Sequence, residues 1–320
     1  MNSALDYFKR NIDSFSRLFS ILIIFLLLFI ISPSFGNSAN ILNMFRFASL
    51  NLIIATGVAL TMLVGGIDLS SGASIALTTI LFGPLFLEGN GPGEMALGII
   101  GILTLSSIVG AINGVCIAYL GIAPFLATYG VQQITRGFAF FLTMGAVYTN
   151  FKPQFQVLGA GNLFGIIPVP IIIAGSLIAV IGLMLNRTTM GRKIFAIGSN
   201  PDSAHYSGIN LKMTLLGTYT LAGLIFGIAG VVYISRLNSA EPSIGADFAM
   251  NAIAAAAIGG ISFKGGRGNV FNIIVGALLL TFITTGINLL GIHSDWQRGI
   301  MGIIIILAVM IDRNTAKKKL

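Results

Sequence analysis

Pro168-Val169-Pro170-Ile171-Ile172-Ile173-Ala174-Gly175-Ser176-Leu177-Ile178-Ala179-Val180-Ile181-Gly182-Leu183-Met184-Leu185-Asn186 runs for nineteen residues without a charge, and Arg187, Arg192 and Lys193 follow at once. At about 1.5 Å per residue, an apolar run of this length covers the roughly 30 Å of hydrocarbon in a bilayer. The basic residues that end it are the kind retained on the cytoplasmic face. Working outward in both directions, further runs fall near 18–32, 47–64, 70–87, 95–120, 123–143, 213–235, 248–262, 268–290 and 296–312. The fold class is therefore all-α integral membrane, with about ten transmembrane segments. Merging weak neighbours into eight would leave both termini on the same side.

Composition agrees. Of 320 residues 55% are hydrophobic and 9% charged, against about 25% charged in an ordinary soluble domain. The mean hydropathy is +0.94, so lipid is the solvent for most of the chain. The net charge is +8, but the basic residues sit in short connecting stretches, which argues against a nucleic-acid surface. The lone Cys116 excludes an internal disulfide. His205 and His293, without CxxC or HExxH spacing, offer no metal site. Lys9, Arg10 and Arg17 precede the first run as in a secretory signal, yet no small-residue cleavage pattern follows Pro33, so a retained anchor is expected.

With the N-terminus inside, thirteen of the eighteen Lys and Arg residues fall on cytoplasmic stretches. Both termini are then cytoplasmic: 1–17 is an N-terminal segment, 18–312 the membrane domain, and 313–320 a basic tail. Arg46, Arg136, Lys152, Arg236 and Arg298 are the exceptions, and Arg136 falls inside a span.

Some spans look short or broken. The 47–64 run meets Gly65-Gly66-Ile67-Asp68-Leu69-Ser70, and the 248–262 run meets Ser262-Phe263-Lys264-Gly265-Gly266-Arg267-Gly268. Gly-Gly-Ile opens both junctions, at 65–67 and 259–261, which hints at an internal repeat around a midplane site. Tight turns are the alternative, since glycine takes positive φ at little cost. Gly66, Asp68, Gly260 and Gly265 are the candidate gating residues, although Asp68 also suits the role of N-cap for the third span. Ser106, Gly110, Gly114 and Ala118 in the fourth span, with Gly223 and Gly227 in the seventh, are spaced for close helix packing.

An ionisable side chain inside a span is a functional candidate by default. Thr128, Gln132 and Arg136 recur every four residues and share a helix face; Thr281, Thr285 and Asn288 form a similar stripe, and Asn251 opens the eighth span. Amides and hydroxyls both donate and accept, as a polyol requires. Gln132, Arg136, Asn251, Thr285 and Asn288 are accordingly the candidate pathway residues. Interhelical hydrogen bonding is the competing use for such groups. No chain of buried acids or histidines supports a proton-coupled pump.

The longest polar insert is 187–212. Asn200-Pro201-Asp202 reads as a helix start and Gly208 as its stop, which predicts a two-turn helix on the cytoplasmic side. Gly191-Arg192, Ala196-Ile197-Gly198-Ser199-Asn200, Ala204 and Ser207-Gly208-Ile209-Asn210 together resemble the cytoplasmic loop of ribose-type sugar permeases, membrane subunits of bacterial ABC importers. Gly65-Gly66-Ile67-Asp68-Leu69-Ser70, Thr135-Arg136-Gly137, Ser239-Ala240-Glu241-Pro242, Ala252-Ile253-Ala254-Ala255 and Gly265-Gly266-Arg267-Gly268 resemble further motifs of that family in the same order.

The resemblance implies a ten-helix permease paired with a second copy or a close relative. It implies a separate cytoplasmic ATPase docked on 187–212 through Gly191, Arg192, Ala196, Gly198, Asn200, Ala204, Ser207 and Gly208, and a periplasmic sugar-binding protein at the outer mouth. The expected location is the bacterial inner membrane. No GxxxxGK[ST] is present, so ATP belongs to the partner and this chain is not expected to be an enzyme or to hold a cofactor. Phe248-Ala249-Met250-Asn251 lacks the acids common before the AIAA run, and Glu241 replaces a usual glutamine; both departures lie near the outer mouth. The competing readings are a branched-chain amino acid ABC permease and an ion-coupled secondary transporter, which would need buried ion ligands.

Overall fold

A computed structural model describes residues 19, 22–23, 25–30 and 33–317, and statements below concern those residues. The expected segment 1–17 lies outside them, as does much of the 18–32 span, whose described residues are helical. Twelve helices follow: α1 Ser38–Leu63, α2 Ser71–Phe82, α3 Pro92–Ala118, α4 Pro124–Thr143, α5 Pro153–Ala160, α6 Val169–Arg187, α7 Thr189–Ser199, α8 Pro201–Tyr206, α9 Leu211–Leu237, α10 Phe248–Gly259, α11 Val270–Leu289 and α12 Ser294–Lys317. α1, α3, α6, α9 and α11 are each long and apolar enough to cross a membrane. α2, extended by a 3-10 turn at Gly83–Phe86, and α10 are shorter apolar helices.

One expectation needs correction. The 47–64 run is not short, because α1 is 26 residues long and begins at Ser38. Its first turns carry Asn40, Asn43 and Arg46, which hid them from a hydropathy reading, and Asn37 caps them by accepting from the Ala39 N–H at 3.0 Å. The chain is also not purely helical: β1 Tyr148–Thr149 pairs with β4 Ser239–Ala240, and β2 Asn162–Leu163 with β3 Ile167–Pro168. These two-residue ladders tie down the long 144–168 connection, where Phe86 stacks on Phe155 at 3.9 Å.

α1, α9 and α11 are mostly buried, whereas α3 and α6 turn most of their apolar residues outward. Leu97, Ile100, Ile108, Val180 and Leu183 are exposed, as expected of helices whose outer face meets lipid. The small-residue stripes do pack against each other. A Cβ at Gly110 would lie 2.3 Å from the Tyr219 carbonyl, and one at Gly223 would lie 2.3 Å from the Ser106 carbonyl. Ser106 Oγ donates to the Gly223 carbonyl at 2.7 Å across the same contact. Backbone thus meets backbone between α3 and α9, the contact that small residues permit when lipid supplies no hydrophobic drive between helices.

Candidate functional site

α1 and α10 end in the same way. Gly65 has φ +81° and donates to Met62 O at 2.9 Å, while Gly66 donates to Thr61 O at 2.9 Å. Gly260 has φ +93° and donates to Ala257 O at 2.9 Å, and Ile261 to Ala256 O at 2.9 Å. Both are Schellman stops with glycine in the left-handed position. The structural repeat therefore matches Gly65 with Gly260, one residue out of step with the Gly-Gly-Ile match in sequence.

These stops meet the polar insert at one end of the bundle. The Gly266 N–H donates to the Leu63 carbonyl at 2.9 Å. Gly198 lies against that bond, so that an added Cβ would stand 1.9 Å from Leu63 O and 2.4 Å from Gly266 N. Gly265 and Gly266, at φ +84° and +70°, press on Gly65, Gly198 and Ser199. Gly198 and Gly265 thus share one junction with the Gly65-Gly66 turn. Gly191 fits the turn from α6 into α7, where a Cβ would lie 2.1 Å from Leu185 O.

The predicted two-turn helix is α8: Asn200 caps it by accepting from Ser203 N–H at 2.9 Å, Pro201 follows, and Gly208 has φ +80°. α7 was not foreseen. Thr188 caps it, its hydroxyl accepting from Gly191 N–H at 3.3 Å, a signal that basic residues and glycine obscured. Ala204 is buried on α8 and Ala196 half-buried on α7, while Arg192, Asn200, Ser207, Gly208 and Tyr206 are exposed.

From Gly66 the chain turns back into the bundle. Thr128 of α4 holds it, accepting from Leu69 N–H at 3.2 Å and lying 3.1 Å from the Ile67 carbonyl. Asp68 does not cap α2. Ser70 occupies that position without a side-chain cap, and Asp68 Oδ1 instead accepts from Ser70 N–H at 2.8 Å and Ser70 Oγ at 2.7 Å. Physically, the carboxylate folds over its own turn, three residues before the helix begins.

α2 then starts beside the segment that leads into α10. A Cβ at Gly72 would lie 1.9 Å from Gly245 O, and Gly245 itself has φ +75°. Arg136, about 18 Å along α4 at about 1.5 Å per residue, donates from one guanidinium nitrogen to the Pro242 and Ile244 carbonyls, each at 2.6 Å. Thr128 and Arg136, on one face of α4, therefore grip two inturned loops, with Thr128 fully buried and Gln132, between them on that face, half-buried. Two short helices begin where these loops meet within the bundle, a layout in which discontinuous helices aim N-termini inward.

Thr285 and Asn288 line a cavity of about 380 Å³ with Asn40, Asn43, Phe47 and Tyr233. Asn251 lies elsewhere, in a cavity of about 360 Å³ with Asp247, Gln297 and Arg298. Thr281 is buried and accepts from Asn51 Nδ2 at 3.0 Å. The five candidate pathway residues thus fall in three places. Asn113 and Tyr219, both buried beside the Asp68 turn, were missed; an asparagine within an apolar span was the available signal.

Apolar crossing helices, two inturned loops and a polar end seated on both define a multi-pass membrane transport subunit. Residues 40–309 match the family described as branched-chain amino acid transport system, permease component. The chain is 36% identical over 310 residues to a ribose import permease of Bacillus subtilis, covering 96% of this chain and 94% of that protein. It is 36% identical over 306 residues to a D-allose transport system permease of Escherichia coli, covering 95% and 93%. It is 32% identical over 334 residues to a galactose/methyl galactoside import permease of Haemophilus influenzae, covering 99% and 98%. The chain belongs to this family of permeases. No solved structure matches it.

Proposed function

We propose that the chain is the membrane-spanning subunit of a bacterial inner-membrane ABC importer for a monosaccharide of the ribose class. A second permease copy or close relative completes the pathway, a separate ATPase docks on 187–212, and a periplasmic binding protein delivers the sugar. The reading puts α7, α8 and both glycine turns on the cytoplasmic side with the two termini, about ten spans in all. Exposed Arg192, Lys193, Lys212, Lys264 and Arg267 at that end support it.

The observation that carries the reading is the seating of α7 through Gly198 on the end of α1 and on the glycine loop that follows α10. A partner that pushes α7 pushes the backbone of α1 and the loop after α10 together. Gln132, Arg136, Asn251, Thr285 and Asn288 remain the pathway proposals. The Asn40, Asn43, Thr285 and Asn288 amides and hydroxyl, beside Phe47 and Tyr233, offer the mixed polar and aromatic lining a sugar ring uses. The named relatives favour sugar over branched-chain amino acids.

Pull-down of the tagged permease, with mass spectrometry and an ATPase assay using sugar-loaded binding protein, tests the assignment. Recovery of an ATPase and a periplasmic sugar binder supports it. A lone protein that transports in liposomes without ATP refutes it in favour of a secondary transporter. Competition of uptake by leucine but not by ribose favours the amino-acid reading.

A further inference from the structure

Around the Gly65–Ser71 stretch four buried side-chain oxygens have no hydrogen-bond partner, and the transport reading does not use them. Asp68 is fully buried, and while Oδ1 accepts twice from Ser70, Oδ2 has no partner. Asn113 Nδ2 donates to Ser70 Oγ at 2.7 Å, which leaves Asn113 Oδ1 buried and unpartnered. Ser71 Oγ and the Tyr219 hydroxyl are likewise buried without partners. Tyr219 lies over the same turn, since a Cβ at Gly66 would stand 2.1 Å from its hydroxyl, and it is within electrostatic reach of Asp68. No Lys, Arg or His among the described residues pairs with Asp68.

We propose that Asp68 Oδ2, Asn113 Oδ1, Ser71 Oγ and the Tyr219 hydroxyl hold one alkali-metal cation, sodium or potassium. Buried charges are paired or coordinate a metal, and buried polar atoms are satisfied. A water molecule would supply hydrogen bonds but leave the carboxylate charge. A proton on Oδ2 would neutralise Asp68 and donate to at most one of the other three oxygens. One hard cation answers both demands. The set is all oxygen with a single formal negative charge, which suits a monovalent ion; divalent calcium and magnesium sites call for more carboxylates or several retained waters. The ligands come from the 65–70 turn, the start of α2, α3 and α9, so the bound ion fixes the inturned loop to the α3–α9 pair. The proposal concerns binding and stands whether or not transport consumes ATP.

The test uses the purified full-length protein in nanodiscs, melted in sodium, potassium and choline chloride at matched ionic strength. Expected is a saturable rise in melting temperature with sodium or potassium over choline, together with retention of about one cation per chain on desalting. Asp68→Asn should abolish the increment. Tyr219→Phe and Asn113→Ala, which each remove one ligand oxygen, should raise the cation midpoint about tenfold. Equal melting of wild type in all three salts overturns the proposal. So does an unchanged cation midpoint in both Tyr219→Phe and Asn113→Ala, a result that decides the matter even if Asp68→Asn fails to fold.

Discussion

Gly198→Ala is the sharpest perturbation of the proposed coupling junction. The new methyl would lie 1.9 Å from the Leu63 carbonyl, so reaching ordinary contact at about 3.4 Å asks α7 to retreat by about 1.5 Å. The displaced path also crosses the Gly266 N–H bond to Leu63 O, 2.9 Å long. Overpacking costs about 1–3 kcal/mol and a lost hydrogen bond about 0.5–1.5 kcal/mol. Most of that strain stays local, because α7 is solvent-exposed on its outer side and moves more easily than the bundle. The expected result is a protein that reaches the membrane at near wild-type amount, yet loses the stimulation of ATPase by sugar-loaded binding protein. Gly175→Ala on α6 is the control: nothing lies within 4 Å of its added methyl, so it should be neutral. Reconstituted complexes measured for uptake and ATPase separate the two. Wild-type coupling in Gly198→Ala would refute the reasoning, as would equal damage in Gly175→Ala.

Other outcomes follow from the same contacts. Arg136→Met should lower the melting temperature and lose about 1.5–3 kcal/mol, because it removes the one guanidinium nitrogen that donates to both the Pro242 and Ile244 carbonyls; a melt equal to wild type would deny the staple. Gly223→Val should cut the yield of folded protein in membranes severely, since even a methyl there meets Ser106 O at 2.3 Å; normal yield would contradict the α3–α9 contact. Arg298→Ala should change stability by less than about 1 kcal/mol, because its pair with Asp247 at 3.3 Å is 70% and 54% exposed. Asn251→Ala and Asn288→Ala, expressed normally, should each reduce sugar uptake, and wild-type uptake in both would remove their cavities from the pathway.

Helix positions were legible in the sequence because lipid demands long apolar runs, and nine of the predicted spans coincide with helices described from Ser38 onward. The ends were less legible. Polar Asn40 and Asn43 open α1 inside the bundle's own cavity, so hydropathy alone started the span too late. The glycine stops were visible as motifs, but only φ and hydrogen bonds show that Gly65 corresponds to Gly260. Arg136 was recognisable as unusual, since an arginine within a span needs a reason. Its partners were not, because they are the carbonyls of Pro242 and Ile244, and backbone acceptors carry no sequence signature. Gly72 against Gly245 is a contact between residues 173 positions apart that no local pattern announces.

These contacts connect the two ends of the proposed mechanism with little side-chain slack. Gly198 touches the Leu63 carbonyl, and the Schellman stop carries that displacement through Gly66 into the turn held by Thr128 and Asn113. That turn leads into Ser71 and Gly72, whose neighbour is the Gly245 backbone, and Gly245 follows the two carbonyls gripped by Arg136 on α4. Glycine at each close approach matters for transmission as well as fit. A long side chain absorbs a push by changing rotamer, whereas backbone in direct contact cannot, and close-packed interiors pass strain onward. Under the proposed coupling, a push on α7 would move α2, α10 and α4 relative to one another, and filling Gly198 should decouple the far end before it unfolds the near one.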